Sequence, residues 1–357
     1  MSNKAIIAMS GGVDSSVAAY LMKEQGYDCM GITMKLFDND DIGISNEKAC
    51  CSIKDVEDAR SVANSLGIPF HVFNFAGDFN EQVIDRFIHA YENGETPNPC
   101  IDCNRFMKFE KLMTRAKQLD VDYVVTGHYA RIEYDEKSGR YLLKKGIDET
   151  KDQSYALHTM TQKQLAHTHF PLGELRKDEI REIAAEKGFI NAKKRDSQDI
   201  CFVRDGDYVG FIQQYTGKKY KGGNFIDGNG KVLGKHDGLI RYTIGQRKGI
   251  GLSFNKPMYV GDKDIENNTV TLCENAKLFS KSLTARDFNW ISCEQPEEPI
   301  RVKAKIRYNQ KERWATAKQT PSGLVSVEFD EPQRAIAKGQ AVVLYDGDVV
   351  VGGGTIC

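Results

Sequence analysis

Ala5-Ile6-Ile7-Ala8-Met9-Ser10-Gly11-Gly12-Val13-Asp14-Ser15-Ser16-Val17-Ala18-Ala19-Tyr20-Leu21-Met22-Lys23 is the stretch on which the reading of the fold turns. Its first five residues form an apolar run, which predicts a buried strand of a parallel sheet. Val17 to Lys23 suits a helix, and Asp14, Ser15 and Ser16 suit its first turn. Gly11 and Gly12 between them permit close backbone approach or a positive φ. A glycine-led helix start gathers several N–H donors and the positive end of the dipole, so it favours an anion such as a phosphate. A lone Gly-Gly would read as a tight, capped turn; the whole string after a first strand reads as a phosphate loop.

Working outward, strand and helix alternate. Asp28–Met34 reads as a second strand, and residues 35–50 as a polar, acidic loop. From Ile53, the positions Val56, Ala59, Val62, Ala63 and Leu66 recur at helical spacing, and Gly67 stops them. Pro69–Phe75 and Val121–Thr126 read as strands, with helices over Phe79–Tyr91 and Arg105–Leu119 between them. Residues 130–150 suggest a hairpin turning at Lys137-Ser138-Gly139, and Lys177–Lys187 another helix. This alternation predicts an α/β doubly wound parallel sheet, with ligands beyond the carboxyl ends of its strands. Ser10–Ser16, Met34 and Gly127-His128 all fall at that edge. Met34 suits either packing on a base or the core.

Composition shifts near residue 205. We expect a catalytic α/β domain over 1–205, a small central domain over 206–279 and a C-terminal β-barrel over 280–357. Formal net charge is −1, yet Lys193–Gly251 holds 12 Lys+Arg against 6 Asp+Glu, and Arg301–Lys318 holds 7 basic residues and one acid. Such stretches suit a polyanion or a solvated face. No apolar run has the length of a membrane span. Met1-Ser2-Asn3-Lys4 runs directly into the first strand, which leaves no room for a targeting peptide and points to a cytoplasmic protein. In that reducing setting the nine cysteines suggest catalysis or ligation rather than structural disulfides.

Thr96-Pro97-Asn98-Pro99-Cys100-Ile101-Asp102-Cys103-Asn104 reads as a stiff, exposed link that sets two thiols at a helix start. The helix dipole there is expected to lower their pKa. A third thiol, Cys201, sits in Asp196-Ser197-Gln198-Asp199-Ile200-Cys201-Phe202. Asp196 and Asp199 suit local capping or a part in the chemistry. Cys29 and Cys273 read as core, Cys50-Cys51 as a packing pair at a helix start, and His167-Thr168-His169 as solvent-exposed.

The string Ser-Gly-Gly-x-Asp-Ser-Ser resembles the pyrophosphate loop of the ATP pyrophosphatases, the adenine nucleotide α-hydrolase-like fold. Five further strings follow in order: Thr-Pro-Asn-Pro-x-x-x-Cys-Asn, Thr-Gly-His-Tyr-Ala, Lys-Asp-Gln-Ser-Tyr, Asp-Ser-Gln-Asp-Ile-Cys-Phe and Tyr-Thr-Ile-Gly-Gln-Arg-Lys-Gly. Together they resemble the bacterial tRNA-specific 2-thiouridylase family. The resemblance implies a tRNA-uridine 2-sulfurtransferase. It would adenylate C2 of the wobble uridine, U34, with ATP and Mg2+, then replace that oxygen with sulfur. Cys201 would carry the persulfide and Cys103 would be the nucleophile, with a Cys103–Cys201 disulfide left behind. ATP contacts would fall on Ala8, Met9, Ser10, Gly11, Gly12, Val13, Asp14, Ser15, Met34 and Gly127. The target base would meet Asn98, Pro99 and Cys100. Other tRNA contacts would fall on His128, Lys151, Asp152, Gln153, Arg307, Tyr308 and Gln340. The partners implied are a sulfur-relay protein or cysteine desulfurase and the anticodon stem-loops of glutamate, glutamine and lysine tRNAs.

One departure matters: many members carry Asp where this chain has Cys100. Cys100, Cys103 and Cys201 would then offer three thiolates for a [4Fe-4S] cluster with one open iron. No dedicated mononuclear metal site is expected, because a second Cys-x-x-Cys is missing. Two rival readings are a phosphate-loop synthetase acting on a small substrate and a non-catalytic RNA-binding module.

Overall fold

The computed structural model describes residues 3–37, 53–196 and 199–357. Most of the acidic loop, Cys50-Cys51, Ser197 and Gln198 lie outside the described residues. Four parallel strands, β1 (Lys4–Ala8), β2 (Asp28–Lys35), β3 (Phe70–Asn74) and β4 (Tyr123–Val125), lie in the order β3-β2-β1-β4. Helices α1 (Val13–Glu24) and α2 (Ile53–Ser65) connect the first three. β1 is buried at Ala5, Ile6 and Ile7, as its unbroken apolar run requires. The chain jumps from one side of β1 to the other between β3 and β4. That reversal opens a crevice between the carboxyl ends of β1 and β4.

A fifth parallel strand, Thr168–His169, extends the sheet beside β4. This corrects the expectation of solvent exposure for Thr168 and His169, while His167 is exposed as expected. His169 is half-buried, its Nε2 lies 3.2 Å from the Tyr27 hydroxyl, and its ring packs 4.5 Å from that of Tyr123. Two residues are too few to show a strand period, so only the neighbouring edge of β4 reveals this one.

The central region forms a four-stranded sheet over its own core of Phe225, Tyr242, Ile250, Val260, Val270 and Leu272. The last region is an antiparallel six-stranded barrel. It closes where the long strand Phe279–Trp290 pairs with both Val325–Arg334 and Val349–Ile356. That double pairing needs a bend. The register shifts between Arg286 and Asn289, where Asp287 adopts φ 51°, a β-bulge that turns one strand across two partners. The hairpin Ala130–Asp135 and Arg140–Lys145 forms as expected. It joins the barrel rather than the parallel sheet, pairing Lys144 with Val349. The α/β region therefore reaches into the barrel, and Arg131 donates to Asp348 at 2.6 Å across that seam.

Candidate active site

The loop after β1 is fixed by its own polar groups. Gly11 has φ 73°, and a Cβ there would lie 2.3 Å from the Asp55 carbonyl oxygen of α2, so only glycine fits. Gly12 caps α1 in an extended conformation. The Ser15 hydroxyl donates to the Gly12 carbonyl at 3.0 Å and accepts from the Ser10 amide at 3.2 Å. Ser16 donates to the same carbonyl at 3.1 Å. Val13 and Met9 turn their side chains into the core, so only their backbone faces the crevice. Across it, a Cβ on Gly127 would lie 2.9 Å from the Asp14 carbonyl carbon and the Ser15 nitrogen. The turn after β4 thus packs its backbone directly on the first turn of α1. Ala8 ends β1, and Met34 lies near the end of β2.

Partners far along the chain hold this loop. Asn191, 3% exposed, donates to the Gly11 carbonyl at 3.0 Å and to Ser16 at 2.9 Å. Lys194 donates to the Gly11 carbonyl at 3.0 Å and pairs with Asp58 at 2.7 Å and with Asp55. Tyr129 donates its hydroxyl to Asp14 at 2.7 Å, and burial and that carboxylate both push the phenol up. Nothing in the sequence spacing near the loop flags Asn191 or Lys194. Tyr129 was visible only as part of its motif.

The thiol helix starts earlier than its periodicity suggests, at Pro99, with the Asn98 side chain accepting from the Cys100 amide at 3.2 Å. Pro at the first helical position and Asn at the cap are the residues that geometry favours. Pro99 is buried rather than exposed. From Cys103 to Lys111 the helix widens into a π-helical run. Cys103 and Cys201 both pack against one apolar cluster, which contains Phe79, Val83, Phe87, Met107, Phe202 and Phe211. Met34 and Phe37, at the nucleotide edge, touch the same cluster. Phe202, beside Cys201, meets Phe87 edge-on at 5.3 Å and 90°.

The expected fall in thiol pKa is overturned. Burial pushes Cys103 up to about 11 against the pull of the Lys108 charge. Desolvating a thiolate costs more here than one short helix turn returns. The structure does not gather the three-thiolate set. Among the described residues no three His, Cys, Asp or Glu side chains gather as metal ligands. Apolar packing draws Cys103 and Cys201 to the cluster, whereas Cys100 is exposed and outside it.

His128 is buried and held well below its ordinary pKa by desolvation and by Lys108. Its Nε2 lies 3.3 Å from Lys108 Nζ, and its Nδ1 2.6 Å from Thr126 Oγ1. An ammonium can only donate, so Nε2 accepts and Nδ1 carries the proton.

The other expected tRNA contacts are already engaged. Lys151 pairs with Asp196 at 2.7 Å. Asp152 accepts from Gly146 and Ser154, and burial raises its pKa. Gln153 accepts from the Tyr129 amide at 3.0 Å. Arg307 donates to the Ala335 carbonyl at 2.7 Å, and Gln340 to that of Thr96 at 2.7 Å. Tyr308 donates to the Asp152 carbonyl at 3.0 Å, which brings the barrel onto the Lys151–Gln153 segment. Asn98 alone of these lines a cleft of about 400 Å³ between the thiol helix and the barrel, with Arg86, Asp102, Arg105, His158 and Asp287. Arg105 and Asp287 pair across that cleft.

Three family profiles cover nearly the whole chain. They are described as tRNA methyl transferase HUP domain over residues 3–205, tRNA methyl transferase PRC-barrel domain over 209–274 and aminomethyltransferase beta-barrel domain over 280–356. The tRNA-specific 2-thiouridylase MnmA of Clostridioides difficile is 54% identical over 356 residues, spanning 100% of this chain and 98% of that protein. The tRNA-specific 2-thiouridylase MnmA 1 of Thermoanaerobacter sp. is 54% identical, over 99% of this chain and 98% of that protein. The corresponding protein of Clostridium acetobutylicum is 52% identical over the full length of both chains.

Proposed function

The chain belongs to the tRNA-specific 2-thiouridylase family, and from that membership we propose that it replaces the C2 oxygen of the wobble uridine of tRNA with sulfur. ATP, brought as its Mg2+ complex, would lie with its pyrophosphate on the Ser10–Ser16 loop and its base toward Met34. The uridine O2 attacks the α-phosphorus, pyrophosphate leaves, and O2 becomes part of an AMP leaving group. Phosphate charge that develops in this step meets N–H donors already oriented by the loop, so little reorganisation is needed.

Sulfur arrives as a Cys201 persulfide, loaded by a sulfur-relay protein or cysteine desulfurase. The Cys103 thiolate attacks the Cys201 sulfur atom and breaks the S–S bond, which releases hydrosulfide. Hydrosulfide attacks C2 and expels AMP. The attack that released hydrosulfide leaves the two cysteines joined as a disulfide, and an external thiol reductant restores them. The products are 2-thiouridine, AMP and pyrophosphate. The observation that carries this reading is that Cys103, Cys201 and Met34 border one apolar cluster. A water-poor wall beside both thiols would protect hydrosulfide and the activated base. The descriptions of the matching families mention methyl transfer, but a phosphate loop coupled to two thiols suits activation followed by sulfur transfer.

In this reading residues 1–205 activate the base, 206–279 form a central domain, and 280–357 help grip the tRNA in the cytoplasm. The test combines ATP, unmodified tRNA and a persulfide source, with nucleosides analysed by mass spectrometry. Pyrophosphate release that depends on tRNA, and thiolation lost in Cys201→Ala with tRNA binding retained, are expected. Thiolation that persists in Cys201→Ala removes the persulfide role. Pyrophosphate release driven by amino acids without tRNA favours a small-substrate synthetase.

A further inference from the structure

The string Tyr-Thr-Ile-Gly-Gln-Arg-Lys-Gly, residues 242–249, marks the family but has no part in the chemistry proposed above. It also lies within the basic stretch Lys193–Gly251. Its first half is structural. Tyr242 belongs to the core of the central sheet. The carbonyls of Ile244 and Gly245 accept from Arg307 at 3.3 Å and from Arg334 at 3.5 Å, both residues of the barrel region. A Cβ on Gly245, which has φ 85°, would lie 2.6 Å from the Ala335 Cβ. The loop is therefore pressed onto the barrel where there is no room for a side chain.

The second half is braced from within. Gln246 Oε1 accepts from the Thr243 amide at 3.0 Å, and Nε2 donates to the Lys248 carbonyl at 2.9 Å. The Gly245 amide donates to the Val260 carbonyl at 2.8 Å, and the Val260 amide to the Gln246 carbonyl at 2.9 Å. Arg247 and Lys248 are left exposed on a fixed turn, and neither pairs with a carboxylate among the described residues. Behind them, Arg307 and Arg334 are held by neutral oxygens, the Ala335 carbonyl at 2.7 Å and Asn275 Oδ1 at 2.9 Å. Burial, and then the Arg334 charge, hold Arg307 below its ordinary pKa. Glu274, beside Asn275, is already paired with Lys256. Four cations thus stand at one seam without a carboxylate of their own, which makes a local positive field.

We propose that Arg247 and Lys248 form a clamp for the sugar-phosphate backbone of tRNA, separate from the residues expected at the target base. This rests on the reading of tRNA as the substrate and deepens it, because the central domain then holds part of that substrate. Arg and Lys on a turn bind phosphate oxygens and fix register without reading sequence, so the contact serves every tRNA alike. Gln246 is the positioning residue: it carries no charge and holds the turn that presents two.

The experiment measures the affinity of the full chain for unmodified tRNA transcripts by fluorescence anisotropy, without ATP, across a salt series. In Arg247→Ala and in Lys248→Ala, the plot of log Kd against log salt is expected to lose about one unit of slope each. Binding weakens severalfold, equally for tRNAs with and without a wobble uridine, while thermal midpoints stay close to wild type. Arg247→Lys and Lys248→Arg keep the charge and are expected to keep the slope. Gln246→Ala keeps both charges but frees the turn, so binding weakens with the slope retained. A wild-type slope in both alanine variants overturns the proposal, as does a loss confined to one tRNA. Variants that bind tRNA normally but no longer take sulfur from a persulfide-carrying protein also overturn it, and give the turn to an acidic protein surface instead. A wild type that binds no tRNA removes the substrate reading itself, so the two failures are distinguished.

Discussion

The phosphate loop and the thiol helix solve the same problem, fixing a few reactive groups, by opposite means. Around Gly11 and Gly127 the restraint is backbone geometry: a positive φ, carbonyls and amides within 3 Å of any added Cβ, and polar bonds from Asn191 and Lys194. Around Cys103 and Cys201 the restraint is apolar packing on a shared cluster of aromatic rings. The first kind has one solution and tolerates no added atom. The second is non-directional, set by volume, and the burial that comes with it also keeps the Cys103 thiol protonated.

Substitutions at the two regions should separate these modes. Phe87 is fully buried between Tyr91 and Phe202. Phe87→Ala should cost about 3–5 kcal/mol of unfolding free energy and impair thiolation more than ATP binding. Denaturant melts and a nucleotide titration check both halves. Equal loss of both functions would break the division drawn here. Gly127→Ala should leave the fold largely intact but push against the Asp14–Ser15 backbone. We expect tRNA-dependent pyrophosphate release to fall by on the order of 100-fold, comparable to losing one oriented donor, while Cys201 still accepts a persulfide.

Lys108→Ala sharpens the electrostatic half of the comparison. Cys103 is pushed up to about 11, so its thiolate grows tenfold per pH unit as pH rises toward that value. Lys108 opposes this rise, and removing its charge makes the thiolate scarcer still. The ascending limb of the thiolation pH profile should move to higher pH, by up to roughly one unit, with little change in pyrophosphate release. A limb that stays in place would show that another group sets it. Asn98→Ala should give the smallest effect, about 1 kcal/mol of stability from a lost cap, read as a modest fall in thermal midpoint.

Much of the loop was legible because its chemistry is local. Strand, two glycines and first-turn hydroxyls stand side by side, and the structure keeps them so. The thiol region was legible only in part. The Asn-Pro pair marks a helix start, yet periodicity set that start at Arg105 rather than at Pro99. The thiol pKa went the wrong way because burial is a property of the folded chain. The hairpin at 130–145 was visible from its turn, but not its union with the barrel, since its pairing partner lies about two hundred residues away. His169 was misread because a two-residue strand has no period of its own.

The sequence by itself determined a parallel α/β sheet, a glycine-built phosphate loop at its first strand, a β-barrel at its end and a motif series that marks the family. Those features depend on neighbours in the chain, on backbone permissions and on alternation of apolar residues. Only the tertiary structure decided that Cys103 and Cys201 share a wall while Cys100 does not, that Asn191 and Lys194 hold the Gly11 carbonyl, and that Lys177 spans Asp14 and Asp196. Each of these depends on which distant surfaces pack together, and packing energy depends on the shape and volume of the whole core rather than on any local string.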